Sequence, residues 1–239
     1  LARMDVKQLI LLDNGETPLH NIRLELEEHF PDLNFVPVVG DVRVKNRLDK
    51  IFSIYKPQIV FHAAAYKHVP LMEENPCESV LVNVVGTRQV ADACVKYGVE
   101  KMIMISTDKA VNPTSVMGCC KRIAEIYCQS LGMAIAKGKV RGITKFVTTR
   151  FGNVLGSNGS VIPRFKHQIE EGGPVTVTDP KIIRFFMTIP EACRLVMEAA
   201  TLGKGSEILV FDMGEPVKIV DLATRMIELA GYKPNEDIE

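Results

Sequence analysis

The 239-residue sequence has no excess of charge of either sign, because 29 lysines and arginines balance 29 aspartates and glutamates. A balanced chain has no electrostatic footprint for nucleic acid and no basic face for an anionic membrane. The sequence also has no apolar run of the roughly 18 residues that a membrane span needs, and it has no signal-peptide pattern at its start. These absences exclude a nucleic-acid partner and a membrane span within the chain.

The sequence also has little that could form a disulfide scaffold or a metal site. Its six cysteines include no Cys-x-x-Cys motif and no zinc-type spacing with histidine. We expect reduced and mostly buried thiols in a cytoplasmic setting, and no metal.

Short apolar segments alternate with amphipathic ones over the first 150 residues. Strands that alternate with helices form βαβ units, and such units build a parallel doubly wound sheet. The predicted strands are 8–12, 35–39, 59–65, 101–107 and 145–150, with helices at 22–30, 44–55, 76–97 and 116–131. The fold class is therefore predicted as α/β, with a Rossmann-like sheet.

The composition changes after Arg150, where Gly, Ser, Pro and Thr become frequent. We predict a Rossmann-like dinucleotide-binding domain over residues 1–150 and a small substrate-binding lobe over 151–239. Residues 190–231 are expected to return in part to the first domain. Within 151–239 we predict helices at 161–170, 190–202 and 219–230 and strands at 175–177 and 207–211.

The glycine-rich phosphate loop of such folds is absent from the sequence. It should follow a strand and open a helix about 20 residues before an acidic residue such as Asp13. Since that position precedes residue 1, we expect the first strand and the glycine loop to lie outside the chain, which would then be a truncated domain.

Ligands of an open parallel sheet bind beyond the carboxyl ends of its strands. Asp13 follows the first predicted strand, where it could bind ribose hydroxyls or simply form a turn. The third strand ends in small residues, where a ring or phosphate could approach the backbone, or a helix could pack tightly: Ala63, Ala64 and Ala65. At the end of the fourth strand, Ser106, Thr107, Asp108 and Lys109 offer a donor, an acid and a base, or a cap with a surface ion pair.

In this order the motifs resemble those of the extended short-chain dehydrogenases/reductases. The resemblance is closest to the nucleotide-sugar 4,6-dehydratases, the UDP-N-acetylglucosamine 4,6-dehydratase group of capsule, O-antigen and protein-glycan biosynthesis. The motifs that carry it span essentially the whole chain: Gly40–Val42, His62–Pro70, Asn83–Thr87, Ser106–Pro113, Arg150–Ser157, Val175–Pro180 and Arg184–Thr188.

The resemblance implies NAD as the cofactor, and Asp13 favours NAD over NADP because a carboxylate repels a 2′-phosphate. Asp41 and Val42 resemble the adenine contacts, and Lys121 resembles the lysine of the nicotinamide ribose. The remaining residues with an implied cofactor role are Ala63, Ala64, Ala65 and Ser106. The residues with an implied role toward the sugar nucleotide are Lys67, Asn153, Arg164 and Arg184.

Asp108 and Lys109 match the acid/base pair of the dehydratases. The superfamily signature is Tyr-x-x-x-Lys, but Met117 stands where the tyrosine should be, four residues before Lys121. The membrane-anchored members of the group resemble this sequence in carrying methionine there. Thr107, Asp108 or an ordered water then remain as acceptors of the C4 hydroxyl proton.

The resemblance implies NAD-dependent oxidation at C4 of a UDP-N-acetylhexosamine, elimination of water across C5–C6, and return of hydride to C6. A UDP-sugar 4-epimerase and a non-catalytic nucleotide-sugar-binding fragment are the alternatives. We expect a homo-oligomer with a UDP-sugar partner. We also expect a cytoplasmic location, as the cytoplasmic face of an inner-membrane protein whose anchor would lie outside the chain.

Overall fold

The computed structural model of the chain describes residues 1–157 and 159–239. They fold as two compact units, one of residues 1–148 with 203–208 and one of residues 149–202 with 209–239. The elements follow in chain order: β1 Leu9–Asp13, α1 Glu16–His29, β2 Phe35–Val39, α2 Lys45–Tyr55, β3 Ile59–His62, α3 Val69–Glu74, α4 Pro76–Ser79, a π-helical segment Val80–Gly86, α5 Thr87–Lys96, β4 Lys101–Thr107, a 3₁₀ turn Asp108–Ala110, α6 Val116–Ala136, β5 Lys145–Phe151, β6 Asn153–Val154, α7 Val161–Glu170, β7 Ile183–Arg184, β8 Phe186–Met187, α8 Ile189–Leu202, β9 Glu207–Val210, β10 Val217–Lys218 and α9 Ile219–Leu229.

The strands confirm the Rossmann-like α/β prediction. β1 pairs with β2 in a parallel two-stranded sheet, and β3 pairs with β4 in parallel within a sheet of order β3-β4-β5-β9. The β1–β2 and β3–β4 pairs are both parallel, as a doubly wound fold requires.

One apolar core joins both sheets and the helices of the first unit. Leu48, Phe52, Met102, Met104 and Phe146 are all at most 4 % exposed within it. Ile10 and Leu12 of β1 and Val60 of β3 pack against this core although their strands lie in different sheets. The carboxyl ends of β1, β2, β3 and β4 are thus held by a common core.

The predicted helix 76–97 is continuous but not uniformly α-helical. Its middle, Val80–Gly86, is a π-helical segment. This form is rare in proteins as a whole, but where it does occur it is often at a functional site. Gly86 allows this segment to pack closely, because a Cβ there would lie 2.7 Å from Cγ2 of Val42.

The second unit has small apolar cores of its own. Phe165 of α7 packs with Ile219 and Ala223 of α9, and Ile169 packs with Ile227 and Ile238. The prediction of a strand over 175–177 was wrong: the segment is irregular, and its valines pack as partly buried side chains against these cores. Within the described ranges, no helix has the length and apolar character needed to cross a membrane.

Met104→Ala should destabilise the first unit by about 2–5 kcal/mol, because the substitution leaves a cavity in a close-packed core. Met104 is 1 % exposed, and its Sδ lies 3.9 Å from Sγ of Cys128. The measurement is the free energy of unfolding in urea. Met133→Ala is the matched control, since Met133 is 49 % exposed. Equal losses in the two variants would contradict this description of the core.

Candidate active site

The candidate site is built where the start of α6 meets the end of β4. The Ser115 side chain caps α6, with its Oγ accepting the Gly118 N–H at 3.1 Å. Glu73 of α3 adds a second acceptor, because its Oε1 binds the Val116 N–H at 2.8 Å. Two otherwise unpaired N–H groups are satisfied, and the first turn of α6 is fixed.

Gly118 brings this turn against the 3₁₀ turn that follows β4. A Cβ at Gly118 would overlap the carbonyl oxygen of Lys109, and it would lie 3.2 Å from Cβ of Pro113. The absence of a side chain is therefore what allows α6 to contact the backbone of the predicted catalytic residues.

Thr107, Asp108 and Lys109 form one hydrogen-bonded group at the end of β4. The Thr107 hydroxyl donates to Asp108 Oδ1 at 2.8 Å, and Lys109 Nζ donates to the same oxygen at 3.0 Å. The side chains of Asp108 and Lys109 are 46 % and 34 % exposed. An exposed ion pair of this kind contributes little to stability, so its geometry suits chemistry better than structure.

Lys121 and Met117 lie one helical turn apart on α6, and both are buried. Lys121 Nζ donates to the Ile105 carbonyl at 2.6 Å, two residues before Thr107. Burial lowers the pKa of Lys121 to about 8, and the charge of Glu125 opposes that shift. Met117 has no proton to exchange, so it fills the position of the tyrosine without replacing its chemistry.

Asp13 and Asp41 lie at the neighbouring carboxyl ends of β1 and β2, since Asp13 pairs with Val39. Asp13 Oδ1 accepts the Gly15 N–H at 2.7 Å, which is the turn-forming arrangement. Asp41 is held by Arg43, whose Nη2 and Nε donate to Oδ2 at 2.7 and 2.9 Å. The side-chain hydrogen bond from Arg43 lowers the pKa of Asp41.

Sequence reasoning missed the role of Asn83 in holding the segment after β3. Its Oδ1 accepts the Tyr66 N–H at 2.8 Å and its Nδ2 donates to the Tyr66 carbonyl at 2.9 Å. Ala63, Ala64, Ala65 and Lys67 belong to this irregular segment, in which Ala65 is partly buried and the others are exposed. Asn83 lies in one of the quoted motifs, but only the folded chain shows which backbone groups it binds.

A second buried contact continues from Asn83 to the end of β3. Thr87 Oγ1 donates to the Asn83 carbonyl at 2.7 Å, and it lies 2.9 Å from His62 Nε2. Since the Thr87 proton is already used, His62 must donate from Nε2. Burial lowers the pKa of His62 to about 3, so this histidine is neutral and joins β3 to α5.

The predicted sugar-nucleotide residues other than Lys67 lie in the second unit. The Asn153 N–H donates to the Phe185 carbonyl at 3.2 Å, which places Asn153 beside the segment that carries Arg184. Arg164 of α7 is exposed and donates to Thr176 Oγ1 at 3.0 Å. In the part of the chain that the structure describes, no group of three His, Cys, Asp or Glu side chains could hold a metal ion.

Asn83→Asp should destabilise the chain by about 2 kcal/mol or more, because a buried carboxylate would face the Tyr66 carbonyl without a proton to donate. Unfolding in urea measures the loss. Asn75→Asp is the control, since Asn75 also donates to a backbone carbonyl, that of Leu71, but is exposed. It should change stability by less than about 0.5 kcal/mol. If both variants are equally stable, Asn83 does not hold the segment.

Gly118→Ala should displace the 3₁₀ turn and destabilise the chain by about 1–3 kcal/mol, because the added methyl group overpacks the contact with Lys109. NMR should show the change at the Val111 amide, which donates to the Asp108 carbonyl at 3.0 Å. Cys119→Ala, an exposed neighbour in the same helical turn, is expected to leave that amide in place. An unmoved Val111 amide in Gly118→Ala would contradict the close contact between Gly118 and the Lys109 carbonyl.

Comparison with known proteins shows which family the chain belongs to. The family model described as "Polysaccharide biosynthesis protein" matches residues 1–239. The chain is 53 % identical over 239 residues to the capsular polysaccharide biosynthesis protein CapD of Staphylococcus aureus, covering 100 % of the chain and 39 % of CapD. It is 53 % identical over 233 residues to the probable polysaccharide biosynthesis protein EpsC of Bacillus subtilis, covering 97 % and 38 %. The chain therefore spans less than half the length of these relatives.

A UDP-glucose 4-epimerase of Rickettsia canadensis is 38 % identical over 208 residues, covering 86 % of the chain and 58 % of that protein. Among solved structures, Pen from Bacillus thuringiensis matches with a TM-score of 0.88 and 35 % identity, covering 98 % of the chain and 71 % of Pen. The dTDP-glucose 4,6-dehydratase DesIV from Streptomyces venezuelae, solved with NAD, matches with a TM-score of 0.84 over 99 % of the chain and 75 % of DesIV. At 19 % identity it supports the fold alone.

These findings confirm the resemblance stated from the motifs. The whole chain matches one family model, and the fold of the dehydratases and epimerases covers nearly all of it. The chain belongs to the polysaccharide biosynthesis protein family, and its fold matches that of short-chain dehydrogenase/reductase dehydratases and epimerases.

Proposed function

We propose that the protein catalyses NAD-dependent 4,6-dehydration of a UDP-N-acetylhexosamine, with UDP-N-acetylglucosamine as the first substrate to test, in surface polysaccharide or glycan biosynthesis. One observation carries this proposal: a hydroxyl, a carboxylate and an ammonium group meet at Asp108 Oδ1. Eliminating water from a sugar requires a base for one proton and an acid for the leaving hydroxyl, and Asp108 with Lys109 offers both.

In this proposal Lys109 removes the C5 proton of the 4-keto sugar, and Asp108 protonates the departing C6 hydroxyl. Lys109 must first be neutral and Asp108 must first be protonated. Lys109, whose side chain is 34 % exposed, loses its proton to solvent water beforehand and returns the C5 proton to C5 in the last step, whereas the proton on Asp108 comes from the C4 hydroxyl through Thr107. The partial exposure of Lys109 and Asp108 leaves room for a sugar ring to contact both groups.

The contact between Thr107 and Asp108 accounts for Met117. The Thr107 hydroxyl donates its own proton to Asp108 and accepts the Lys109 N–H at 3.4 Å, which leaves one lone pair of its oxygen as an acceptor. A C4 hydroxyl bound there can give its proton to Thr107 while Thr107 gives its proton to Asp108. The protonated carboxyl is then the acid that C6 needs, so no phenol is required at position 117.

When bound, NAD would supply the chemistry that accepts hydride from C4 and returns it to C6. The residues present fit both ends of this cofactor. Asp13 and Asp41 offer carboxylates for a ribose hydroxyl and for the adenine amine, beside the apolar Val42. Lys121 offers an ammonium group for the nicotinamide ribose. The support from comparison is that DesIV was solved with NAD.

The residues proposed to bind the sugar nucleotide are Lys67, Asn153, Arg164 and Arg184. Arginine suits a diphosphate because its planar fork donates two parallel hydrogen bonds. Of these side chains, Arg164 and Arg184 are largely exposed, which leaves their guanidinium groups accessible.

A UDP-sugar 4-epimerase is the second candidate, and the Rickettsia relative favours it. Against it stands Met117, since an epimerase that relies on the signature tyrosine would lack its proton acceptor. An epimerase only oxidises and reduces the sugar at C4, so it would not need the acid/base pair of Asp108 and Lys109.

The test incubates the intact gene product that contains the chain with NAD and UDP-N-acetylglucosamine, and follows the nucleotide sugar by mass spectrometry. The expected product is lighter by one water. Lys109→Ala should reduce its formation by about 100-fold or more, since general-base catalysis contributes roughly that much. Lys101→Ala removes a lysine from the opposite end of β4 and is the matched control.

A product of unchanged mass with a shifted chromatographic position would contradict the dehydratase and identify an epimerase. An unchanged sugar in a folded, NAD-loaded protein would contradict the proposed substrate. Full activity of Lys109→Ala would contradict the assigned base.

A further inference from the structure

Glu125 of α6 is a charged side chain to which the proposed chemistry gives no role, yet it is 0 % exposed. Removing a carboxylate from water costs several kcal/mol unless other groups compensate it. The Ser106 hydroxyl donates to its Oε1 at 2.6 Å, and Arg122 Nη1 donates to its Oε2 at 3.0 Å. These bonds favour the ionised carboxylate.

The position of Glu125 links it to both halves of the site. It follows Lys121 by four residues, so the two side chains lie on one face of α6. Glu125 binds Ser106 while Lys121 binds the carbonyl of Ile105. Two consecutive residues of β4 are thus fastened to two consecutive turns of α6, directly before Thr107.

Glu125 is also the ionised group whose charge reaches Lys121. The side chains that interact electrostatically with Lys121 include Glu125, Cys128 of α6 and His62 of β3. Burial raises the pKa of Cys128 to about 12 and lowers that of His62 to about 3. Both are therefore neutral at neutral pH, and the carboxylate opposes the desolvation of the Lys121 ammonium group.

We propose that Glu125 is a positioning residue of this site: it fixes the end of β4 against α6 and keeps Lys121 charged. The structural and electrostatic parts of this proposal need no substrate. Its consequence for catalysis rests on the proposed function.

The test titrates Lys121 by NMR in the chain prepared with isotope-labelled lysine, with its resonance assigned by its loss in Lys121→Met. In the unchanged chain the midpoint should lie near pH 8. Glu125→Gln keeps an acceptor for Ser106 but removes the charge, so the midpoint should fall by about one unit. Glu27→Gln is the control, since Glu27 pairs with Arg23 on the surface of α1, and it should leave the midpoint unchanged.

An unchanged midpoint in folded Glu125→Gln would overturn the proposal. If that variant does not fold, Arg122→Gln gives the opposite test. Arg122→Gln leaves the Glu125 carboxylate in place without its guanidinium partner. The titration midpoint of Lys121 should therefore rise. A midpoint that stays or falls in Arg122→Gln would overturn the proposal equally.

Activity supplies a separate readout in the intact gene product. Glu125→Gln should move the alkaline limb of the pH profile to lower pH while the rate at lower pH is kept, whereas Lys109→Ala should lose activity at every pH. If Lys121 shifts as expected but no sugar is dehydrated, the positioning role is supported and the proposed function fails. A reduced rate without any shift of the limb would overturn the role of the charge.

Discussion

The contact between the first turns of α6 and the end of β4 is the constraint on which the candidate site depends. Gly118 lies against the Lys109 carbonyl, Lys121 binds the Ile105 carbonyl, and Glu125 binds Ser106. These contacts reach three residues within 105–109, at the end of the strand and in the turn that follows it. The positions of Thr107 and Asp108 therefore follow from how closely a helix approaches a strand.

At this contact between α6 and β4, two pairs of charged side chains differ in their exposure to water. Lys121 and Glu125 are buried, where their charges are costly and each depends on its partners. Asp108 and Lys109 are partly exposed, where protons exchange at little cost. In the proposed mechanism the exposed pair moves protons while the buried pair stays fixed in position and charge.

Much of the fold could be predicted from the sequence, because alternating apolar and amphipathic segments dictate a parallel sheet between helices. The motifs likewise indicated Asp108, Lys109 and Lys121 as site residues, and the structure brings the helix that carries Lys121 against the backbone of Lys109. The roles of Asn83 and Arg43 could not be predicted, since a side chain that binds a distant backbone group, or that fixes a neighbouring carboxylate, leaves no periodic pattern. The segment 175–177 reads as a strand by its valines, but those valines pack against helices instead. A buried glutamate such as Glu125 looks like any helical surface residue until its burial is known.

The central claim is that Thr107 and Asp108 act as one proton-transfer unit in place of the missing tyrosine. The most direct test measures the rate of water elimination in Thr107→Val, in Asp108→Asn and in the double variant. If the two residues form one path, the double variant should be no slower than Asp108→Asn alone, because the second change removes a step already lost. Losses that multiply in the double variant would show two independent roles and would contradict the account.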